Sequence, residues 1–81
     1  MTSVYITLTF PSGFQYHTDQ WWLDPKESDW DVATLIVQIK DEVNATEYPI
    51  HLERTAVRCP SDEMVQTYFS EGDVVAVVLG A

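Results

Sequence analysis

The sequence predicts an α+β domain: a mixed sheet of four to five strands with one helix packed across it. Three observations predict this. Residues 3–10 alternate apolar and polar side chains, residues 29–43 carry an apolar stripe at helical spacing, and Val74–Leu79 is an unbroken apolar run of strand length. An alternating strand is apolar on one face, an amphipathic helix covers that face, and a run apolar on both sides belongs in the middle of a sheet.

The first strand places Val4, Ile6, Leu8 and Phe10 on one side and Tyr5, Thr7 and Thr9 on the other. Pro11-Ser12-Gly13 ends it, because proline presets φ and glycine accepts positive φ. A second strand is expected over 14–23, closing a hairpin. Asp24 precedes Pro25 and is held out of the α region, so the helix starts later. Ser28 is the expected N-cap, with Asp31 three residues on as an acidic variant of the capping box. Asp29 and Asp31 also suit the positive end of the helix dipole. Val32, Leu35, Ile36, Ile39 and Val43 then form the buried stripe, and Asn44 fits a left-handed C-terminal position.

After Pro49, Ile50 and Leu52 alternate with His51 and Glu53 in a short strand. Residues 55–63 read as turns, with Cys59-Pro60-Ser61-Asp62 as the breaker. Met64 to Phe69 reads as a single helical turn or compact loop, and Glu71-Gly72-Asp73 turns the chain into the last strand. There is no internal repeat, linker or low-complexity stretch.

Composition bounds the function. With 81 residues the chain holds one domain, 1–81. At 46% hydrophobic and 12% aromatic it is too apolar for a disordered acidic tail, despite a net charge of −9. No apolar run approaches the ~20 residues needed to span a bilayer. The first residues lack the basic and apolar regions of a signal peptide, so a soluble cytoplasmic domain is expected. On that reading the sequon Asn44-Ala45-Thr46 is coincidental. Thirteen acids against four bases oppose direct binding of nucleic acid or an anionic membrane. The single cysteine excludes an intrachain disulfide. Eight of the 13 acids lie between Asp19 and Glu47, a one-sided acidic surface that reads first as a solvated face and second as a surface that steers a basic protein partner.

The element order resembles the ubiquitin-like β-grasp family. The resemblance rests on a hairpin running into Leu23-Asp24-Pro25 and a helix opened by Ser28-Asp29 with Val32, Leu35-Ile36 and Ile39 inward. It rests also on Met64 through Asp73 leading into Val74-Val75-Ala76-Val77. It covers nearly the whole chain, by pattern and order rather than by one specific motif. Such families comprise conjugated modifiers, sulfur carriers and modules that only bind proteins. The first two carry a flexible tail ending in two glycines. Here only Gly80-Ala81 follow the last strand, which favours a non-conjugated module and leaves Gly80 as the conjugation residue of the alternative reading. The family's recognition patch would lie on the outward residues of the third and last strands, His51 and Glu53 with Val74, Ala76 and Val78, half polar and half apolar. In length, missing tail and Glu71-Gly72-Asp73 approach the chain is also similar to the small ubiquitin-like proteins of type VII secretion systems, which implies an accessory or regulatory role.

Residues with chemical potential have simpler explanations. His17, His51 and Cys59 show no metal-ligand spacing, and Cys59 lacks a local base beside Arg58 and Pro60. Asp29 with Asp31, and Asp62 with Glu63, are accounted for by helix capping and solvation. No catalytic residue, metal or cofactor is expected. Trp21-Trp22 is the unusual feature: neighbours in a strand point to opposite faces, so either one ring joins the core and the other is open to a partner, or the hairpin twists and both rings cover the helix end. A bulge would exchange them, so the sequence leaves open which is outside. The expected partner-binding residues are therefore Trp21, Trp22, His51, Val74, Ala76 and Val78. The leading expectation is a non-catalytic adaptor or regulatory subunit binding a protein. The alternatives are a C-terminally activated modifier or sulfur carrier, and an acidic inhibitor mimicking nucleic acid. An exposed edge strand also allows pairing of two copies.

Overall fold

The core is built from two apolar faces that meet. Ile6 and Leu8 from the first strand, Leu52 from the third and Val75 from the last are fully buried against Val32, Leu35 and Ile39 of the helix. The computed structural model describes residues 4–14, 18–23 and 30–80. In chain order these form β1 (Val4–Thr9), β2 (Thr18–Leu23), α1 (Val32–Glu42), β3 (Ile50–Arg54), β4 (Val57–Arg58), α2 (Val65–Tyr68) and β5 (Val74–Leu79).

The sheet has five strands in the order β2-β1-β5-β3-β4. The hairpin β1–β2 is antiparallel, β1 and β5 are parallel, and β3 pairs antiparallel with β5. The expected α+β class with a mixed sheet is what forms. The apolar run Val74–Leu79 takes the central position that its composition requires, with neighbours on both sides.

Three boundaries differ from the expectation. Phe14 belongs to the turn rather than to β2: its N–H donates to the Pro11 carbonyl at 3.4 Å, and its ring stacks on Phe10 at 6.0 Å between centroids. The helix starts at Val32, not at residue 29. The N-cap is Asp31, whose Oδ1 accepts from the Thr34 N–H at 2.8 Å and from Thr34 Oγ1 at 2.7 Å. Ser28 and Asp29 lie outside the described residues. The later start has a physical cause. Around Trp30 and Asp31 the backbone is extended and paired with the segment before α2. The Val65 N–H donates to the Trp30 carbonyl at 3.1 Å and the Val32 N–H to the Glu63 carbonyl at 2.9 Å.

The third difference is β4, a short strand inside the stretch read as turns. Thr55 and Ala56, at φ of 52° and 61°, form a two-residue left-handed turn that folds Val57 back opposite Arg54. The helix end follows the expectation. Asn44 takes a φ of 60°, its N–H donates to the Asp41 carbonyl, and the Ala45 N–H reaches the Lys40 carbonyl at 2.8 Å. That pair of bonds is the Schellman arrangement.

Candidate functional site: the uncovered face of the sheet

The helix covers one face of the sheet, and the strand register dictates what the other presents. Tyr5 stands opposite Trp22, and Thr7 lies between Gln20 and Val74. Thr9 lies between Thr18 and Ala76, Ala76 opposite Glu53, and Val78 opposite His51. All of these alternate with the buried residues Ile6, Leu8, Leu52, Val75 and Val77. The face is therefore aromatic and aliphatic from Trp22 through Tyr5 to Val74, with a polar corner at His51 and Glu53.

The register settles which tryptophan is outside. Trp21 pairs with Ile6 and packs against the core, half-buried. Trp22 points away from the helix and is 60% exposed, with its ring 5.3 Å from that of Tyr5. Trp30 packs half-buried against the core just ahead of α1. Val74 is 59% exposed, and Ala76 and Val78 are half-buried. The Glu71-Gly72-Asp73 turn joins the two apolar wings: the Tyr5 N–H donates to Glu71 Oε1 at 3.2 Å, and the Gly72 N–H donates to the Tyr5 carbonyl at 2.8 Å.

The polar corner is tied up internally. His51 Nε2 lies 2.7 Å from Glu53 Oε2, and Nδ1 lies 2.9 Å from the Gly80 carbonyl oxygen. The His51 side chain retains 14% exposure. Gly80 is fixed at the end of β5 at φ 119°, its N–H donating to the Pro49 carbonyl at 2.8 Å.

One structural cluster escaped the sequence. Arg54 spreads its guanidinium 4.2 Å above the Tyr68 ring, donates to the Tyr68 carbonyl, and pairs with Asp73 Oδ2 at 3.1 Å. Asp73 also accepts from the Ser70 N–H at 2.9 Å. This cluster fastens α2 and the turn after it to the end of β3, and so sets the height at which β5 enters the sheet. The only signal in the sequence was the Gly72-Asp73 pair ahead of an apolar strand.

The remaining candidates among the described residues are structural or exposed. Cys59 is buried, and burial pushes its thiol pKa up, away from the reactive thiolate. Asp31 is engaged in capping, and its carboxyl is held below the ordinary aspartate range by the backbone and side-chain hydrogen bonds of Thr34. Asp62 and Glu63 are exposed in the loop before α2, and His17 lies outside the described residues. Among the described residues no group of three His, Cys, Asp or Glu is placed to hold a metal. No helix among them is long and apolar enough to cross a membrane. Two shallow clefts flank the sheet. One of about 270 Å³ is bounded by Phe14, Val43, Tyr48 and Leu79. One of about 220 Å³ lies between β2 and the end of α1, at Asp19, Trp21 and Glu42.

No protein-family model and no curated protein matches the sequence. Solved structures do. A protein whose structure is described as molecular mimicry of SUMO that promotes DNA repair superposes with a TM-score of 0.76 at 23% identity, over 98% of this chain and 94% of that one. The ubiquitin-like domain of an Arabidopsis thaliana protein superposes with a TM-score of 0.74 at 17% identity, over 100% of this chain and 81% of that one. A further N-terminal ubiquitin-like domain gives 0.70 at 16% identity, over 99% and 77%. The chain thus has the ubiquitin-like β-grasp fold.

Proposed function

We propose that this chain is a non-catalytic ubiquitin-like interaction module, an adaptor or regulatory subunit, that docks a protein partner on the uncovered face of its sheet. One observation carries the reading: Trp22, near the end of β2, is 60% exposed, beside Tyr5 and on the same face as the exposed Val74. Tryptophan is the residue type most enriched at binding hot spots, and a large ring held by a cross-strand neighbour loses little freedom on binding. Ala76 and Val78 continue the surface along the central strand. The net charge of −9 favours a basic partner and hastens its approach.

Affinity capture with the wild-type protein, Trp22→Ala and Val78→Asp tests the reading, with circular dichroism verifying that each variant folds. Loss of the same partners in both folded variants supports it. Partners retained in both remove this face as the docking surface.

A further inference from the structure

His51 stands between two groups that can only accept. Nε2 faces a Glu53 carboxylate oxygen at 2.7 Å, and Nδ1 faces the Gly80 carbonyl at 2.9 Å. A neutral imidazole has one N–H and one lone pair, so it satisfies one of these neighbours and sets a lone pair against the other. Only the imidazolium, with a hydrogen on each nitrogen, donates both ways.

We propose that His51 is a proton-operated clasp on the end of β5, closed on Gly80 when the ring is doubly protonated and open there when one proton leaves to solvent. The nitrogen that loses its hydrogen follows from the chemistry of the two acceptors. A carboxylate accepts a stronger hydrogen bond than a peptide carbonyl, so the remaining hydrogen stays on Nε2 toward Glu53. Nδ1 then faces the Gly80 oxygen lone pair to lone pair, and Gly80 is left with its Pro49 bond at 2.8 Å.

The charged surroundings are simple. Glu53 is on the same strand as His51. Arg58 of β4 lies opposite Glu53 in the register, and contributes a fixed positive charge on the far side of that carboxylate. Facing His51 from the other side, β5 has no titratable side chain and presents Val78 and the Gly80 carbonyl. The helix α1 packs on the opposite face of the sheet. Loss of the Nδ1 proton alters both the hold on the Gly80 carbonyl and the charge beside Val78. It does so whether or not a partner docks on this face.

The test is nuclear magnetic resonance of the whole ¹³C,¹⁵N-labelled chain from pH 5 to 8. At the acid end both ring nitrogens of His51 carry hydrogens. As pH rises Nδ1 loses its hydrogen while Nε2 keeps its own. The Gly80 carbonyl shift moves with the same midpoint, and the detached population of Gly80 rises about fivefold, the effect of one net hydrogen bond. In Glu53→Gln the neutral ring moves its hydrogen to Nδ1 and keeps Gly80 bound, an exchange of tautomers that a merely structural histidine would not show. In His51→Gln the Gly80 signals lose their pH dependence. A neutral wild-type ring with its hydrogen on Nδ1, or Gly80 signals that do not follow the ring, overturns the proposal.

Discussion

Tyr5 and Trp22 face each other directly across the β1–β2 pair, on the side of the sheet that the helix leaves bare, with ring centroids 5.3 Å apart and planes tilted by 51°. The pair is at once a cross-strand contact and an exposed aromatic surface at the β2 edge of the sheet. A tilted aromatic pair contributes about 0.5–1.5 kcal/mol beyond its buried area. Trp22→Ala is therefore expected to lower unfolding stability by about 1 kcal/mol in urea titrations, a modest loss for so large a side chain because most of the ring is already in water. Partner affinity is expected to fall far more, by about 2 kcal/mol or roughly thirtyfold. Equal losses in folding and binding would make the ring a structural element and not a docking one.

Arg54 is expected to matter more to stability than its half-exposed position suggests. It combines an ion pair with Asp73, a bond to the Tyr68 carbonyl and a position over the Tyr68 ring. Arg54→Ala should cost about 1–2 kcal/mol by chemical denaturation. Arg54→Lys should recover little of it, since an ammonium has no planar face to lay over the Tyr68 ring. Full rescue by lysine would reduce the cluster to simple charge pairing.

The outline of this fold was legible because its main signals are local. Alternation in β1, the helical stripe, the left-handed Asn44 and the apolar run of β5 each depend on neighbours a few positions away. The outward placement of Val74, Ala76 and Val78 followed from the same alternation. What was not legible depends on distant segments. The helix start was displaced because residues 63–65 pair with Trp30 and Val32. Which tryptophan faces out needed the pairing of Trp22 with Tyr5. The contact of His51 with Gly80 joins positions that only the β3–β5 register brings together.

The capping role of Asp31 carries a pH signature. Its folded pKa lies below the ordinary 3.8, chiefly through the Thr34 backbone hydrogen bond. A carboxylate held low stabilises the fold above its unfolded pKa, and that contribution disappears as pH falls through the folded value. Asp31→Ala should lower the melting temperature at pH 7, and the difference from wild type should shrink below pH 4. Asp31→Asn should keep much of the cap but lose that acid dependence. Thermal melts between pH 2.5 and 7 decide between these outcomes.

Cys59 is expected to be chemically silent in the folded protein. Its thiol is buried, and desolvation raises its pKa above the ordinary 9.0, outweighing the opposing effects of Tyr68 and Arg54. Iodoacetamide at pH 7.5 should label it at least about tenfold more slowly than in the urea-unfolded chain. Rapid labelling of the native protein would mean that the β4–α2 segment opens readily.

The turn between β3 and β4 holds two side-chain-bearing residues, Thr55 and Ala56, in the left-handed region, at φ of 52° and 61°. Glycine and asparagine adopt that conformation at lower cost, and asparagine-glycine is the preferred pair for a two-residue hairpin. Thr-Ala gives no such signal, which is why this hairpin was hidden in the sequence. The same mismatch predicts a gain: replacing Thr55 with Asn and Ala56 with Gly should relieve backbone strain of about 1 kcal/mol. The Thr55 hydroxyl bond to the Arg54 carbonyl at 2.6 Å is lost in the exchange. It is exposed and within the turn itself, so water replaces it at little cost. The doubly substituted chain should unfold at higher urea concentration with an unchanged m-value. A lower midpoint would show that these two residues are not held in the conformation assigned to them.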